Sequence, residues 1–233
     1  MTEEKDFETY LYVEKNKFII FLFDTNKSTN IYKEEILFKN YYDISFKKLS
    51  EFLDNNIFKI EKLLGKFIKN IFLIVEDEIE LETIICVKKK NDNNKTNQKN
   101  LYQALLDVKD LFKENNQNQK IIHMLINNFS IHRKVYEEFI ENLESEYSYL
   151  DIKFLTLSDK SISKFEKILE KYQIQIKQFI SGKYLKKIIG DKKFEISEMA
   201  HKIRKGYNPN EIKIVPKTYT NKGFFEKFFH LFS

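Results

Sequence analysis

The stretch YLYVEKNKFIIFLFD, residues 10–24, decides the fold of this chain. It holds two runs of apolar and aromatic residues on either side of a polar EKNK segment, residues 14–17. Aromatic and β-branched side chains favour strands, and a short polar break between two such runs is typical of a tight hairpin. The sequence therefore predicts an antiparallel pair of strands, 10–14 and 17–24, with a turn at Lys15 and Asn16.

Three further elements extend this hairpin into a sheet with a helix. Residues 31–38 follow a turn-like break and are predicted to form a third strand. Apolar residues then recur at spacings of three and four from 49 to 67, which is helical spacing, with Asp43 or Ser45 as the candidate N-cap. The apolar run 70–75 predicts a buried fourth strand.

The middle of the chain predicts a second α/β unit, an α/β sandwich. Its predicted elements are a strand at 81–87, a helix at 101–112, strands at 120–127, 129–135 and 150–157, a helix capped by Ser158 or Asp159 and ending near 169, and a strand at 174–180. The next part of the chain is predicted to be a linker with one short helix, 197–205, which Gly206 ends. The predicted fold class is therefore α/β, of the α+β type.

The last eleven residues of the sequence, GFFEKFFHLFS, predict an amphipathic helix. The apolar side chains fall within an arc of roughly 160° on a helical wheel, and they are Phe224, Phe225, Phe228, Phe229, Leu231 and Phe232. Glu226, Lys227 and His230 fill the opposite side. Such a helix binds a membrane surface, completes the core of its own domain or enters a groove on a partner. The sequence favours the membrane, where Lys222 and Lys227 add attraction to anionic lipid.

The charge balance does not favour a nucleic-acid-binding domain. The net charge of +5 comes from 40 basic residues spread among 35 acidic ones, so no domain-wide positive field is predicted. We interpret the lysine runs at 88–90 and 183–193 as solvated surface. The first residues are acidic and no stretch approaches the roughly 20 apolar residues of a spanning helix, so neither a secretory signal nor a membrane span is predicted.

The sequence offers no residue set for catalysis, a cofactor or a metal. No glycine precedes Gly65, whereas loops that hold phosphates need glycine so that backbone amides can approach the oxygens. The histidines lack metal-binding spacing, and His123 alternates into a strand, where we interpret it as a satisfied sheet residue. The acidic residues between 76 and 80 predict a solvated turn, and Cys86 a small core residue. We therefore expect a protein that is not an enzyme.

The order of these elements resembles FtsA, the family of actin-like bacterial division proteins that tether FtsZ filaments to the membrane. The likeness consists of the hairpin, third strand, helix and fourth strand, then an inserted sandwich carrying KIIHMLIN at 120–127, and an aromatic amphipathic tail. It implies a partial actin/RNase H-like sheet with one helix at 8–80 and an interaction subdomain at 81–184. A linker with a short helix follows at 185–221, and the membrane-targeting tail lies at 222–233.

The departures from that family determine the function that the resemblance implies. Residues 13–17, VEKNK, lack the Asp and Gly of the family's phosphate turn, and the chain is too short for the second actin-like lobe. We therefore expect a non-catalytic cytoplasmic adaptor or scaffold, peripheral on the inner membrane, with anionic lipid and a protein as partners. A division protein is the candidate protein partner, and the sequence leaves open whether the chain also forms a homo-oligomer. The alternative is a soluble basic nucleic-acid or ribosome-associated protein whose tail packs on its own core.

Overall fold

The computed structural model describes residues 6–39, 43–76, 80–190 and 193–213. The predicted membrane-binding residues lie outside the described residues: Lys222, Phe224, Phe225, Lys227, Phe228, Phe229, Leu231 and Phe232. The chain forms two compact units. The first contains Met1–Glu80 and Leu157–Lys205, and the second contains Leu81–Thr156 and the described residues after Lys205.

The helices and strands alternate along the chain in a mixed α/β order. They are β1 (Phe7–Glu14), β2 (Lys17–Asp24), β3 (Thr29–Leu37), α1 (Phe46–Leu64), β4 (Asn70–Val75), β5 (Glu80–Lys90), α2 (Gln98–Asn115), β6 (Gln119–Ile131), β7 (Lys134–Tyr136), β8 (Tyr147–Ser158), α3 (Asp159–Glu170), β9 (Gln175–Ser181), α4 (Gly182–Ile189) and α5 (Ile196–Arg204).

The first unit is built on a five-stranded sheet of order β3-β2-β1-β4-β9. Its first three strands are antiparallel, whereas β4 and β9 run parallel to β1. Three antiparallel strands, a helix and a fourth strand confirm the order of elements predicted for this part of the chain. The prediction that the strand at 174–180 belongs to the second unit is wrong, because this strand, β9, pairs with β4 in the first sheet. Strand β4 is buried along its apolar length, and β9 supplies the partner for its second edge.

Helix α1 begins and ends at residues with clear physical roles. The side chain of Ser45, not of Asp43, caps it by accepting a hydrogen bond from the backbone N–H of Lys48. Its apolar face, from Leu49 to Ile60, is buried. Gly65 ends it in the left-handed conformation at a φ of 67°, which glycine adopts without strain. Phe67, predicted to continue the apolar face, therefore follows the helix and is 81% exposed.

The linker predicted at 185–221 is wrong over the described residues 185–190 and 193–205, which belong to the first unit. Helix α4 directly follows β9, and the Ser181 side chain caps it by accepting from the backbone N–H of Tyr184. Helix α5 confirms the predicted helix at 197–205, with a capping box formed by Glu195 and Glu198. Both helices bury an apolar face, so they are core elements of the unit and not part of a tether.

The second unit has a four-stranded sheet of order β5-β8-β6-β7. Helix α2 buries its apolar face in a core with residues of β6 and β8, including the stacked pair Phe112 and Phe154. The two strands predicted between 120 and 135 are one long strand, β6, and a short return, β7. They are joined at His132 and Arg133, which both have positive φ. The unit's first segment ends at 156, not at the predicted 184.

Cys86 is exposed, and its prediction as a core residue is wrong. It lies on β5, an edge strand of the second sheet. Ile85 and Val87 pack against the core, so Cys86 points to the opposite face because successive side chains of a strand alternate. A hydrogen bond to Asp151 raises the pKa of its thiol. The apolar run around Cys86 thus belongs to a half-exposed strand.

Candidate functional site

The candidate site lies at the carboxyl ends of β1 and β4 in the first unit. These strands and β9 are parallel, so their carboxyl ends meet at one edge of the sheet. Ligands of open α/β sheets bind outside the carboxyl ends of strands. In this chain that edge carries Glu14, Glu76 and the junction between Ser181 and Gly182.

Tyr12 joins the charged groups of this edge, which we call the Tyr12 cluster: Tyr12, Glu14, Glu76 and Lys186. Its hydroxyl lies 2.8 Å from Oε2 of Glu14 and 2.6 Å from Oε2 of Glu76. Nζ of Lys186 lies 2.6 Å from the same Glu76 oxygen and donates to the Tyr12 hydroxyl at 3.2 Å. The side chain of Glu76 is only 13% exposed. The prediction of a solvated turn at Glu76 is therefore wrong, because this carboxylate is bound from two sides.

Gly182 allows α4 to begin directly against Glu76. A Cβ at position 182 would lie 2.8 Å from Oε2 of Glu76, 3.1 Å from its Cβ and 3.3 Å from Cε2 of Tyr12. These distances are shorter than ordinary contacts, so an added Cβ would crowd Glu76 and Tyr12. The N-terminus of a helix carries a partial positive charge that favours a nearby carboxylate. The start of α4 and the Lys186 ammonium group thus both lie against the Glu76 carboxylate.

The protonation of Tyr12 is set by burial and by its hydrogen bonds. Burial raises the pKa of Tyr12, and its hydrogen bonds to Glu76 and Glu14 raise it further. The hydroxyl therefore stays protonated at neutral pH and acts as a donor. Lys17 adds a second positive charge, with Nζ 3.9 Å from Oε2 of Glu14. Two carboxylates and two ammonium groups balance in formal charge, and an approaching phosphate would meet both carboxylates.

A pocket of about 280 Å³ borders the cluster in the first unit. Its charged lining residues are Tyr12's neighbours Lys17 and Lys186 together with Lys33, Glu35 and Glu195. Lys33 is already paired, with Nζ 2.8 Å from Oε1 of Glu195. The cationic groups of the pocket are thus matched by carboxylates, an arrangement that suits structural ion pairing better than the capture of an anion.

A second buried network attaches α5 to the sheet of the first unit. Nη1 of Arg204 donates to Oε2 of Glu8 at 2.6 Å and to the hydroxyl of Tyr10 at 2.8 Å. The guanidinium lies 3.4 Å from the centroid of the Phe72 ring, and His201 Nδ1 lies 3.1 Å from the same Glu8 oxygen. Burial alone would raise the pKa of the Glu8 carboxyl, but the hydrogen bonds from Arg204 and Tyr10 and the Arg204 charge together lower it.

The described chain after α5 is bound to β6 of the second unit, and we call residues 208–213 the anchor segment. The backbone N–H of Ile126 donates to the carbonyl of Asn210 at 2.9 Å, and that of Ile212 donates to the carbonyl of Met124 at 2.8 Å. His123 is buried, with Nδ1 2.6 Å from Oε1 of Glu211. This confirms His123 as a satisfied sheet residue. The pairing was missed because an NPN sequence at 208–210 indicates a loop.

The lysine run on β5 is paired within the second unit. Nζ of Lys88 lies 3.9 Å from the centroid of the Tyr147 ring. Lys89 lies 3.6 Å from a carboxylate oxygen of Asp107, and Lys90 lies 3.8 Å from one of Glu146. Aromatic or acidic groups therefore lie beside each lysine, so this strand does not present the continuous positive surface that phosphate binding needs.

Within residues 6–39, 43–76, 80–190 and 193–213, no group of three or more His, Cys, Asp and Glu residues is arranged to hold a metal ion. In the same ranges, no helix is both long and apolar enough to cross a membrane.

Comparison with known proteins gives structural likenesses only. No protein-family profile and no curated protein sequence matches the chain. The fold is similar to that of the cytoplasmic domain of EpsL, an inner membrane component of the type II secretion system of Vibrio cholerae. The TM-score is 0.37 and the identity 9%, over 77% of this chain and 57% of that one.

A second solved structure is described as a protein of actin-like ATPase fold and unknown function from Bacteroides thetaiotaomicron. Its TM-score is 0.32 and its identity 11%, over 81% of this chain and 56% of that one. The chain thus spans less than two thirds of either structure. Neither is described as an FtsA protein.

Proposed function

We propose that the protein is a non-catalytic adaptor or scaffold, held reversibly at a membrane surface by residues 222–233. The observation that carries this proposal is the one-sided pattern of the tail sequence, in which six apolar side chains share one helical face. An amphipathic segment of this kind lies in the plane of the lipid headgroups, with its apolar side toward the acyl chains.

The anchor segment supports the proposal because it provides a fixed base for the tail. Backbone hydrogen bonds at Asn210 and Ile212, with the contact between Glu211 and His123, hold the chain against β6. Nine residues, 214–222, separate Lys213 from Gly223. Their greatest extension is about 30 Å, so a tail bound to a membrane would keep the second unit close to that surface.

The expected binding energy suits a reversible tether. Full burial of a Phe side chain contributes at most about 1.5–3 kcal/mol, and shallow insertion and helix ordering reduce this sum. Lys222 and Lys227 each add about 1 kcal/mol near an anionic surface. A net gain of several kcal/mol remains, which corresponds to exchange on and off the membrane.

The Tyr12 cluster supports a function without catalysis. In the resembling family, the turn between the first two strands binds phosphate. Here Glu14 and Glu76 lie at the corresponding edge, already bound by Tyr12 and Lys186. The two carboxylates at this edge and the occupied hydrogen-bonding atoms of Tyr12 and Lys186 both oppose a nucleotide phosphate. The resemblance to FtsA further suggests a division protein as the partner and the cytoplasmic face of the inner membrane as the place of action.

Co-sedimentation with anionic phosphatidylglycerol vesicles tests the tether. The full chain should bind, and removal of 223–233 should abolish binding. A matched pair of variants separates the two helix faces: Phe228→Glu should weaken binding at least about tenfold, since it places a charge on the apolar face. His230→Glu introduces the same side chain on the polar face and should retain most of the binding. The tether would be refuted if the full chain does not sediment with the vesicles, or if the two variants lose vesicle binding to the same extent.

A further inference from the structure

Strand β3 presents an unusual edge in the first unit. It is the terminal strand of the sheet, and no described strand pairs with its outer side. Apolar side chains are exposed along it: Ile31 is 45%, Ile36 37% and Leu37 69% exposed. Long edge strands with exposed apolar side chains are templates for pairing with another chain.

The backbone pairing fixes which residues of β3 face outward. The N–H of Phe38 donates to the carbonyl of Asn16, and the register pairs Lys17 with Leu37. In an antiparallel ladder, hydrogen-bonded and non-hydrogen-bonded pairs alternate. Even-numbered residues from 32 to 38 therefore point their backbone groups toward β2. The N–H and C=O groups of Lys33, Glu35 and Leu37 point away from it.

A second copy of the chain can use these outward groups only in a few registers. In a symmetric antiparallel pair, each side chain lies opposite a side chain on the same face of the joined sheet. The twofold axis therefore passes between the two copies of one residue, on which the register is centred. Centring on Lys33 would oppose two lysines, and centring on Glu35 would oppose two glutamates while setting Lys33 against Leu37. Both registers place like charges in contact, which destabilises a sheet.

Centring on Glu34 also opposes two glutamates, the Glu34 residues themselves, but it is the one of these three registers that gives complementary charge pairs on either side. Lys33 of each copy then faces Glu35 of the second copy, and the four charges alternate in sign. Tyr32 faces Ile36, and Leu37 faces Ile31. Because Lys33 and Glu35 have outward backbone groups, their two pairs exchange four backbone hydrogen bonds.

We infer that the β3 edges of two copies pair antiparallel, centred on Glu34, and join two five-stranded sheets into one. A bulge in the register between Leu22 and Phe23 makes Ile31 an extra residue and shortens the regular edge. The paired segment is therefore short and the association weak. The opposed pair of Glu34 carboxylates also limits its strength, although within each copy Lys59 Nζ lies 3.9 Å from Oε1 of Glu34.

Sedimentation velocity of the full chain over increasing concentration tests the pairing. We expect a monomer–dimer equilibrium with a dissociation constant of about 10–500 μM, typical of small interfaces. Lys33→Glu sets two carboxylates against each other at both contacts between positions 33 and 35, and Glu35→Lys sets two ammonium groups there. Each variant alone should therefore dimerise at least about tenfold more weakly. An equal mixture of the two variants should regain the dimer, because each of its two contacts between positions 33 and 35 then pairs a glutamate of one strand with a lysine of the other.

Three controls make the outcome decisive. Lys17→Glu makes the same charge change in the same sheet, away from the outer edge, and should leave dimerisation unchanged. Phe228→Glu should also leave it unchanged, which separates edge pairing from association through the tail. Circular dichroism establishes that each variant is folded. A wild-type monomer at about 500 μM, a dimer that persists in both charge variants, or a mixture that stays monomeric would overturn the inference.

Discussion

Replacing Gly182 by alanine tests the steric fit at the candidate site. The added methyl would lie 2.8 Å from Oε2 of Glu76 and 3.1 Å from Cβ of Glu76. The carboxylate is held by Tyr12 and Lys186, and the Cβ is attached to the backbone next to β4. Neither atom can move away freely, so the substitution overpacks the site.

Two opposing terms determine the size of the effect. Overpacking a tight site costs about 1–3 kcal/mol, whereas replacing glycine with alanine in a helix stabilises it by up to about 1 kcal/mol. We expect overpacking to dominate and Gly182→Ala to destabilise the protein by about 1–2 kcal/mol. For a chain of this size that lowers the melting temperature by about 3–6 °C, measured by circular dichroism.

A double-mutant cycle identifies the cause. In a Glu76→Ala background the contact with Oε2 is gone, so Gly182→Ala should cost less than in the wild type. Gly65→Ala serves as the control, because no atom lies within 4 Å of its added Cβ and its cost comes only from a φ of 67°. That cost should not depend on Glu76. A Gly182→Ala protein that melts at the wild-type temperature or higher would refute the steric reasoning.

Three further substitutions probe the two units. Glu211→Ala removes the carboxylate bound to the buried His123 and should cost about 1–3 kcal/mol in urea unfolding; an unchanged midpoint would show that the contact contributes little. Hydrogen bonding with Arg204 helps lower the pKa of Glu8, so the Glu8 carboxylate stabilises the folded protein at pH values above the ordinary pKa of 4.5. This stabilisation is lost as the pH falls through the lowered pKa. Acid unfolding of Glu8→Gln should lack this component, and identical pH profiles would contradict its role. Phe154→Ala should cost about 3–5 kcal/mol in urea unfolding, since the ring is fully buried; a loss below about 1 kcal/mol would contradict close packing.

Local patterns in the sequence were sufficient for most individual elements. The hairpin at 10–24, the capped start of α1 and the period of α2 each depend on neighbours within a few residues, and the structure has them where they were expected. The ends were less certain. Phe67 continued the apolar spacing of α1, but the backbone conformation of Gly65 ended the helix first.

Long-range pairing could not be predicted from those patterns. Strand β9 pairs with β4 across more than ninety intervening residues, and nothing in its own sequence specifies that partner over the neighbouring sheet. The same applies to the Tyr12 cluster, which brings together residues from β1, the end of β4 and α4. Lysines near 186 resembled a solvated run because the acidic partner, Glu76, is distant in sequence.

The division of the first unit between Met1–Glu80 and Leu157–Lys205 has a consequence for biosynthesis. About 100 residues must be translated after Glu80 before β9 is complete, which takes about 5–20 s at ordinary elongation rates. During that interval the nascent β4 has no β9 beside it, and its apolar edge is open to other chains. We therefore expect this protein to aggregate most readily while it is still being synthesised on the ribosome.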